Sequence, residues 1–207
     1  MKKSKIALIG IGGNAKSIIN AILPNNDVDI FLYEEKNFKE NELFFNFPVK
    51  KFSSDIIEKY DRFFITSGNN EERASTYNKY FSNIDKEFPN IIHPSAIIGE
   101  NVVLGYGNYI GALAYIGPDC IVGNFNILNS SSVTEHDVKI DSFNHLAPNS
   151  TLCGRIKIDN NVLIGAGSTV VQNVSIASHT TIGASSLVIN DITSTHKVWA
   201  GSPIRQL

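Results

Sequence analysis

Glu135-His136-Asp137 sets an imidazole between two carboxylates in consecutive positions. Histidine is the side chain best suited to take a proton near neutral pH. Either Asp137 or Glu135 could hold its second ring nitrogen, as the orienting acid does in a catalytic triad. The trio reads as a general base with its supporting acid. A second histidine, His145, follows nine residues on. Far upstream lies Gly10-Ile11-Gly12-Gly13-Asn14-Ala15, whose Gly10, Gly12 and Ala15 satisfy the loose dinucleotide fingerprint. Glycine there lets backbone approach a phosphate, and a helix N-terminus attracts its charge. A pyrophosphate suits such a turn, though nothing downstream resembles a reductase site that would use NAD. The histidines, His93, His136, His145, His179 and His196, lack the His-x4-His spacing of a catalytic zinc site, so no metal is expected.

What positions these residues is a repeat. From Ile92 to Val188 every sixth position holds Ile, Leu or Val, with Thr134 the single exception. A period of six fits neither a helix nor a plain strand alternation; it marks a solenoid that turns a corner every six residues. The aliphatic residue is often followed by glycine, as at Gly99, Gly117 and Gly165, and four positions on comes a second inward site, often small, as at Ala114, Cys120 and Ser150. The length of the repeat predicts between five and six eighteen-residue coils. Thr134, a polar residue in the aliphatic stack, is costly unless its hydroxyl is bonded. It stands two residues before His136. In a coil of this length, nine residues is half a turn, so one chain holds His136 and His145 far apart, and they can meet a common ligand only across a subunit contact.

Residues 1–88 have a different grammar, that of an α/β domain. Strands are expected at Lys5–Ile9, Val28–Tyr33 and Phe63–Thr66, and helices at Ala15–Leu23 and Glu71–Phe81, with a turn at 24–27 and a solvated loop at 34–42. Pro89 and Pro94 flank the join to residues 89–207. Asn144 and Asn149 suit turns, Cys120 the core, and Trp199 a cover over the last coil.

A net charge of −2 without a long basic run disfavours nucleic acid or an anionic membrane as partner. The two cysteines, Cys120 and Cys153, read as reduced thiols of a cytoplasmic protein. The start, Met1 to Ile11, has too short an apolar run for a signal peptide and reads as a buried first strand, and no segment approaches a membrane span.

The six-residue pattern resembles the hexapeptide-repeat acyltransferases, which implies a left-handed parallel β-helix after a half-Rossmann-like α/β domain. Thr134-Glu135-His136-Asp137 with His145, Ile127 to Val133, Trp199-Ala200-Gly201-Ser202-Pro203, and Gly68 to Arg73 are similar to the PglD/NeuD-like nucleotide-sugar acetyltransferases. That resemblance implies acetyl transfer from acetyl-CoA to a nucleotide-linked amino sugar, with the 4-amino group of a 4-amino-4,6-dideoxyhexose as acceptor, in surface glycan biosynthesis such as lipopolysaccharide O-antigen. It implies His136 as base, Asp137 as its acid, the Gly154 N–H as oxyanion donor, and His145, Ala166 and Ala184 at the acetyl-CoA site. Gly12, Gly13, Asn14, Glu34 and Gly68 fall where the nucleotide-sugar is held. Asn14 stands where the subfamily often has histidine, and Tyr33-Glu34 where it often has an acidic pair. A homotrimer with active sites at subunit contacts is implied too. The alternatives are a sialic acid O-acetyltransferase and a non-catalytic nucleotide-sugar-binding β-helix.

Overall fold

The computed structural model describes residues 3–25 and 27–207. Met1 and Lys2 of the leader-like start, and Asn26 of the expected turn, lie outside the described residues. The chain divides into two compact units, Met1–Ile91 and Ile92–Leu207.

In the first unit β1 (Ser4–Ile9), β2 (Val28–Glu34) and β5 (Phe63–Ile65) are parallel strands, with β1 paired to both others. β1 takes the centre because Ile6-Ala7-Leu8-Ile9 is apolar on both faces, as a strand covered on both sides must be. β3 (Leu43–Phe44) and β4 (Phe47–Lys51) form a hairpin that extends the sheet in the order β3-β4-β2-β1-β5. The sequence did not announce this hairpin. Its turn residues are Phe45 and Asn46, both with positive φ, and it lacks the glycine that usually marks such a turn. Helix α1 (Gly13–Ile22) buries Ala15, Ile18, Ile19 and Ile22, the spacing of one helical face. Helix α2 (Asn70–Tyr80) is polar, is capped by the Asn69 side chain accepting from Glu72 N, and carries Glu71 and Glu72 in its first turn.

The second unit is a left-handed parallel β-helix of two-residue strands, which the chain lays down on three faces in rotation. The first face runs from Ile91–Ile92 to Thr181–Ile182 and continues into the hairpin Val198–Gly201 and Ile204–Gln206. The second face runs from Ile97–Ile98 to Leu187–Val188, and the third from Val103–Leu104 to Ser175–Ile176. Up to Leu187–Val188 each strand pairs in parallel with the one eighteen residues away, as Tyr115 does with Val133. Trp199 pairs with Ile182, so the indole takes the next place in the aliphatic stack and packs against the core as its cover.

The corners explain the repeat. Every sixth residue from Asn101 to Ser185 has positive φ, yet glycine fills that place only at Gly107 and Gly167. The glycines that follow the aliphatic residues are needed for another reason, close approach between coils. A Cβ on Gly165 would stand 2.5 Å from Ala184 N, and one on Gly111 would stand 2.7 Å from Ser130 N.

The second inward site is partly buried in the first coil, at Ala96 and Val102, is buried in the coils that follow, and differs by corner. Before the first-face strands it holds Asn108, Asn126, Asn144, Val162 and Thr180; before the second, alanine and serine; before the third, mostly aliphatics. Asn144 is therefore a buried core residue and not the turn residue its type suggested. The asparagines form a ladder: Asn126 N donates to Asn108 Oδ1 (2.7 Å), Asn144 N to Asn126 Oδ1 (2.8 Å) and Val162 N to Asn144 Oδ1 (2.6 Å). Among the described residues no helix is long and apolar enough to cross a membrane.

Candidate active site

His136 stands on the edge between the second and third faces, just after the Val133–Thr134 strand. Its Nδ1 lies 2.7 Å from Asp137 Oδ2. The carboxylate accepts, so Nδ1 carries a proton, and in the neutral ring the lone pair is on Nε2. Of the two flanking acids, Asp137 and not Glu135 makes this bond. Asp137 reaches the ring from a corner position with φ of 59°, the backbone shape that every corner of this solenoid adopts.

Gly154 lies one coil on, on the same edge. A Cβ there would stand 2.6 Å from both Cε1 and Nε2 of His136, so the ring lies directly against the glycine. The neighbouring N–H groups are tied into the stack, Cys153 N to Val170 O and Arg155 N to His136 O, while the Gly154 N–H takes no acceptor among the described residues. An imidazole with a free Nε2 therefore stands beside a free backbone donor, the pair that acyl transfer requires. Thr134 is fully buried, and its hydroxyl has no partner among the described residues. The bond that would have offset its polarity is not made.

His145 is elsewhere, on the first face. Asn129 Oδ1 accepts from Ser130 N (2.8 Å), which turns its Nδ2 toward His145 Nε2 (3.2 Å). The imidazole must therefore accept there and keep its proton on Nδ1. In sequence Asn129 entered only within the Ile127 to Val133 segment, with no role of its own. Ala166 and Ala184 are exposed on the edge between the first and second faces, one coil apart. One chain thus carries the residues expected to serve acyl transfer on two different edges.

The glycine turn belongs to a separate pocket of about 360 Å³ in the first unit, and Gly12, Gly13, Asn14, Glu34 and Gly68 all line it. It opens at the C-terminal ends of β1, β2 and β5, where open α/β sheets bind ligands. Gly10 has φ of 103°, and a Cβ there would meet Thr66 Oγ1 at 2.8 Å. Gly12 and Gly13 face open space, and Gly12 caps α1 with no side-chain bond, so backbone is presented to the pocket. Asn14 Nδ2 donates to Thr66 O (3.0 Å). Glu34 accepts from Ile11 N, Lys36 N and Asn37 N, and so holds the pocket wall together. Beneath the rim Arg73 is buried, donating to Ser67 O (2.9 Å) and Asn70 Oδ1 (2.8 Å). Burial pushes its pKa down to about 9, so it remains a cation at neutral pH. In sequence Arg73 entered only as the last residue of the Gly68 to Arg73 segment, with no role of its own. Among the described residues no cluster of three or more His, Cys, Asp or Glu could hold a metal ion.

No family model and no curated protein matches the chain. Solved structures match nearly all of it. A histidine-to-asparagine variant of perosamine N-acetyltransferase from Caulobacter crescentus, in complex with CoA and GDP-perosamine, is 25% identical over 99% of this chain and 97% of its own, with a TM-score of 0.91. The acetyltransferase domain of PglB from Neisseria gonorrhoeae FA1090 is 24% identical over 99% of this chain and 100% of its own, with a TM-score of 0.89. WeeI from Acinetobacter baumannii AYE is 18% identical over 99% and 100%, with a TM-score of 0.80. The fold, over both units, is that of the hexapeptide-repeat sugar acyltransferases.

Proposed function

We propose that this protein is an acetyl-CoA-dependent N-acetyltransferase whose acceptor is the amino group of a nucleotide-linked sugar, with the 4-amino group of a 4-amino-4,6-dideoxyhexose as the acceptor of choice. The observation that carries the reading is His136, bonded through Nδ1 to Asp137 and lying with Nε2 against Gly154. The perosamine N-acetyltransferase structure, with CoA and a GDP-linked amino sugar, supports the substrate class. The N-acetyl product forms as the amine nitrogen adds to the thioester carbonyl and the carbon–sulfur bond breaks. His136 Nε2 takes the proton that the nitrogen sheds, and the Gly154 N–H stabilises the oxyanion, a contribution of about 3 kcal/mol where such donors have been removed. His136 then returns the proton to the departing sulfur. Asp137 holds the ring and its tautomer throughout, and no metal takes part.

The glycine turn and the α1 N-terminus suit the pyrophosphate of the nucleotide. Gly12, Gly13, Asn14 and Gly68 take the nucleotide-sugar, and Glu34 keeps their wall in shape. His145, Ala166 and Ala184 serve acetyl-CoA from a neighbouring copy. A homotrimer supplies that neighbour. The two active edges border the same second face, whose outward column Ile97, Tyr115, Val133, Thr151, Thr169 and Leu187 is uncharged. The third face instead carries Lys139 and Lys157. Packing second faces about a threefold axis puts one copy's His136 edge beside the next copy's Ala166 edge. The product belongs to cytoplasmic assembly of a surface glycan such as O-antigen.

The test is acetyl-CoA consumption over GDP-, UDP- and dTDP-linked 4-amino sugars, with CMP-sialic acid and free sialic acid alongside. Acetylation of an amino sugar that His136→Ala loses is the expected result. Turnover of sialic acid alone, or none at all, would sink the reading.

A further inference from the structure

The corner column before the third face runs Val102, Cys120, Val138, Ile156, Val174 and Ile192, with one polar member. Cys120 is fully buried, and its Sγ lies 2.9 Å from Glu135 O. The same arrangement recurs at other corners. Asn108 Nδ2 donates to Gly123 O, Asn126 Nδ2 to Asp141 O and Ser168 Oγ to Gly183 O, each 2.8 Å and each across fifteen residues. In each, a carbonyl just after an aliphatic stack position turns into the prism and a corner side chain meets it. The Cys120 bond stands out because its acceptor belongs to the residue before His136.

Burial raises the Cys120 pKa, which keeps the thiol protonated and able to donate. Among the described residues the one cis peptide is Ser202–Pro203, so Glu135–His136 is trans. With Glu135 O drawn inward, the planar peptide points His136 N–H outward, toward the edge where the imidazole stands. The other holds on this turn are backbone to backbone: Glu135 N to Leu152 O, Asp137 N to Pro118 O and Arg155 N to His136 O. Gly117 packs beneath the same peptide, and a Cβ there would lie 2.9 Å from Glu135 C and His136 N.

We infer that Cys120 is a positioning residue for the general base: its thiol sets the Glu135–His136 peptide plane and so fixes His136 over Gly154. The inference rests on the acyl-transfer reading above. Cys120 is too enclosed to touch substrate, so its effect passes through His136.

The test compares Cys120→Val, which makes the column uniformly aliphatic, with Cys120→Ser, which keeps a donor. The valine variant is expected to melt no lower than wild type while kcat falls roughly ten- to a hundred-fold, as a misplaced catalytic group does, with both KM values unchanged. The serine variant should stay near wild type. A second readout is independent of turnover. The His136 ring signals in 15N-histidine-labelled protein, assigned by their loss in His136→Ala, should shift in the valine variant and not in the serine variant. Wild-type kcat with unmoved ring signals in Cys120→Val overturns the inference. If the valine variant does not fold, Cys120→Ala against Cys120→Ser decides by the same readouts. Should the wild-type protein acetylate none of the acceptors, the functional reading fails, and the ring signals alone decide for or against Cys120.

Discussion

At the scale of single residues, the proposed acyl-transfer edge rests on two contacts that can be broken separately. Asp137→Asn leaves the ring in place but lets an amide hydrogen face Nδ1, and kcat should fall by roughly a hundredfold with KM for acetyl-CoA unchanged, within the usual range for losing general-base support. Gly154→Ala does the reverse. Its methyl would occupy space 2.6 Å from Nε2 and Cε1, so the ring must move. Steady-state kinetics should show a loss as large as that of His136→Ala, while circular dichroism stays native. A Gly154→Ala enzyme with normal kcat would mean that the ring does not rest on this glycine during turnover. His136 and Asp137 stood out in sequence because Thr134, two residues before His136, breaks a strict repeat. The residues alone left Asp137 and Glu135 as alternatives and the family resemblance pointed to Asp137; the bond itself depends on the left-handed corner at Asp137. Cys120 read only as a core position, because its acceptor, Glu135 O, lies fifteen residues away in sequence.

At the scale of elements, the β-helix is held by columns as much as by strands. Asn126 joins three coils through Asn108, Asn144 and Asp141. Asn126→Ala would leave a buried N–H and a buried carbonyl unpaired, and thermal unfolding should show a loss of roughly 3 kcal/mol. This ladder escaped notice because asparagine marks loops as readily as interiors, and a single sequence does not say which way a corner residue points. The aliphatic stack was plain because every sixth residue repeats one constraint. In the first unit, Glu35 accepts from Lys79 Nζ (2.7 Å) and Tyr80 OH (2.6 Å). Those bonds, Lys79 first, hold its pKa below the ordinary 4.5. A depressed carboxylate stabilises the fold above its unfolded value and loses that contribution as pH falls through its folded value. The melting-temperature gap between wild type and Glu35→Gln should therefore be widest near neutrality and close as the pH drops below about 4.5. A gap that is constant with pH would show that the carboxylate's charge is irrelevant there.

At the scale of the whole molecule, the division of groups between two edges makes a prediction about mixing. His136→Ala spoils one edge and Ala184→Trp the other, and each alone should be inactive. Random trimers from equal amounts of the two should regain about a quarter of their sites, because a site then needs one good edge from each of two copies. Activity recovered on refolding the mixture, with sedimentation showing trimers, is the expected outcome. Recovery of none, or full activity in a sedimenting monomer, would place the whole site within one chain.

The eighteen-residue pairing distance also makes the length of this chain a quantised variable. An insertion or deletion of eighteen residues adds or removes a coil and leaves every column aligned. A deletion of six between His136 and Gly154 leaves the hexad rhythm untouched and still preserves a plausible core. It nevertheless turns all that follows by one face, so the glycine departs from beneath the imidazole. Hexad-sized indels between His136 and Gly154 therefore keep the aliphatic stack yet part the imidazole from its glycine, and only whole coils of eighteen residues keep the corner columns aligned.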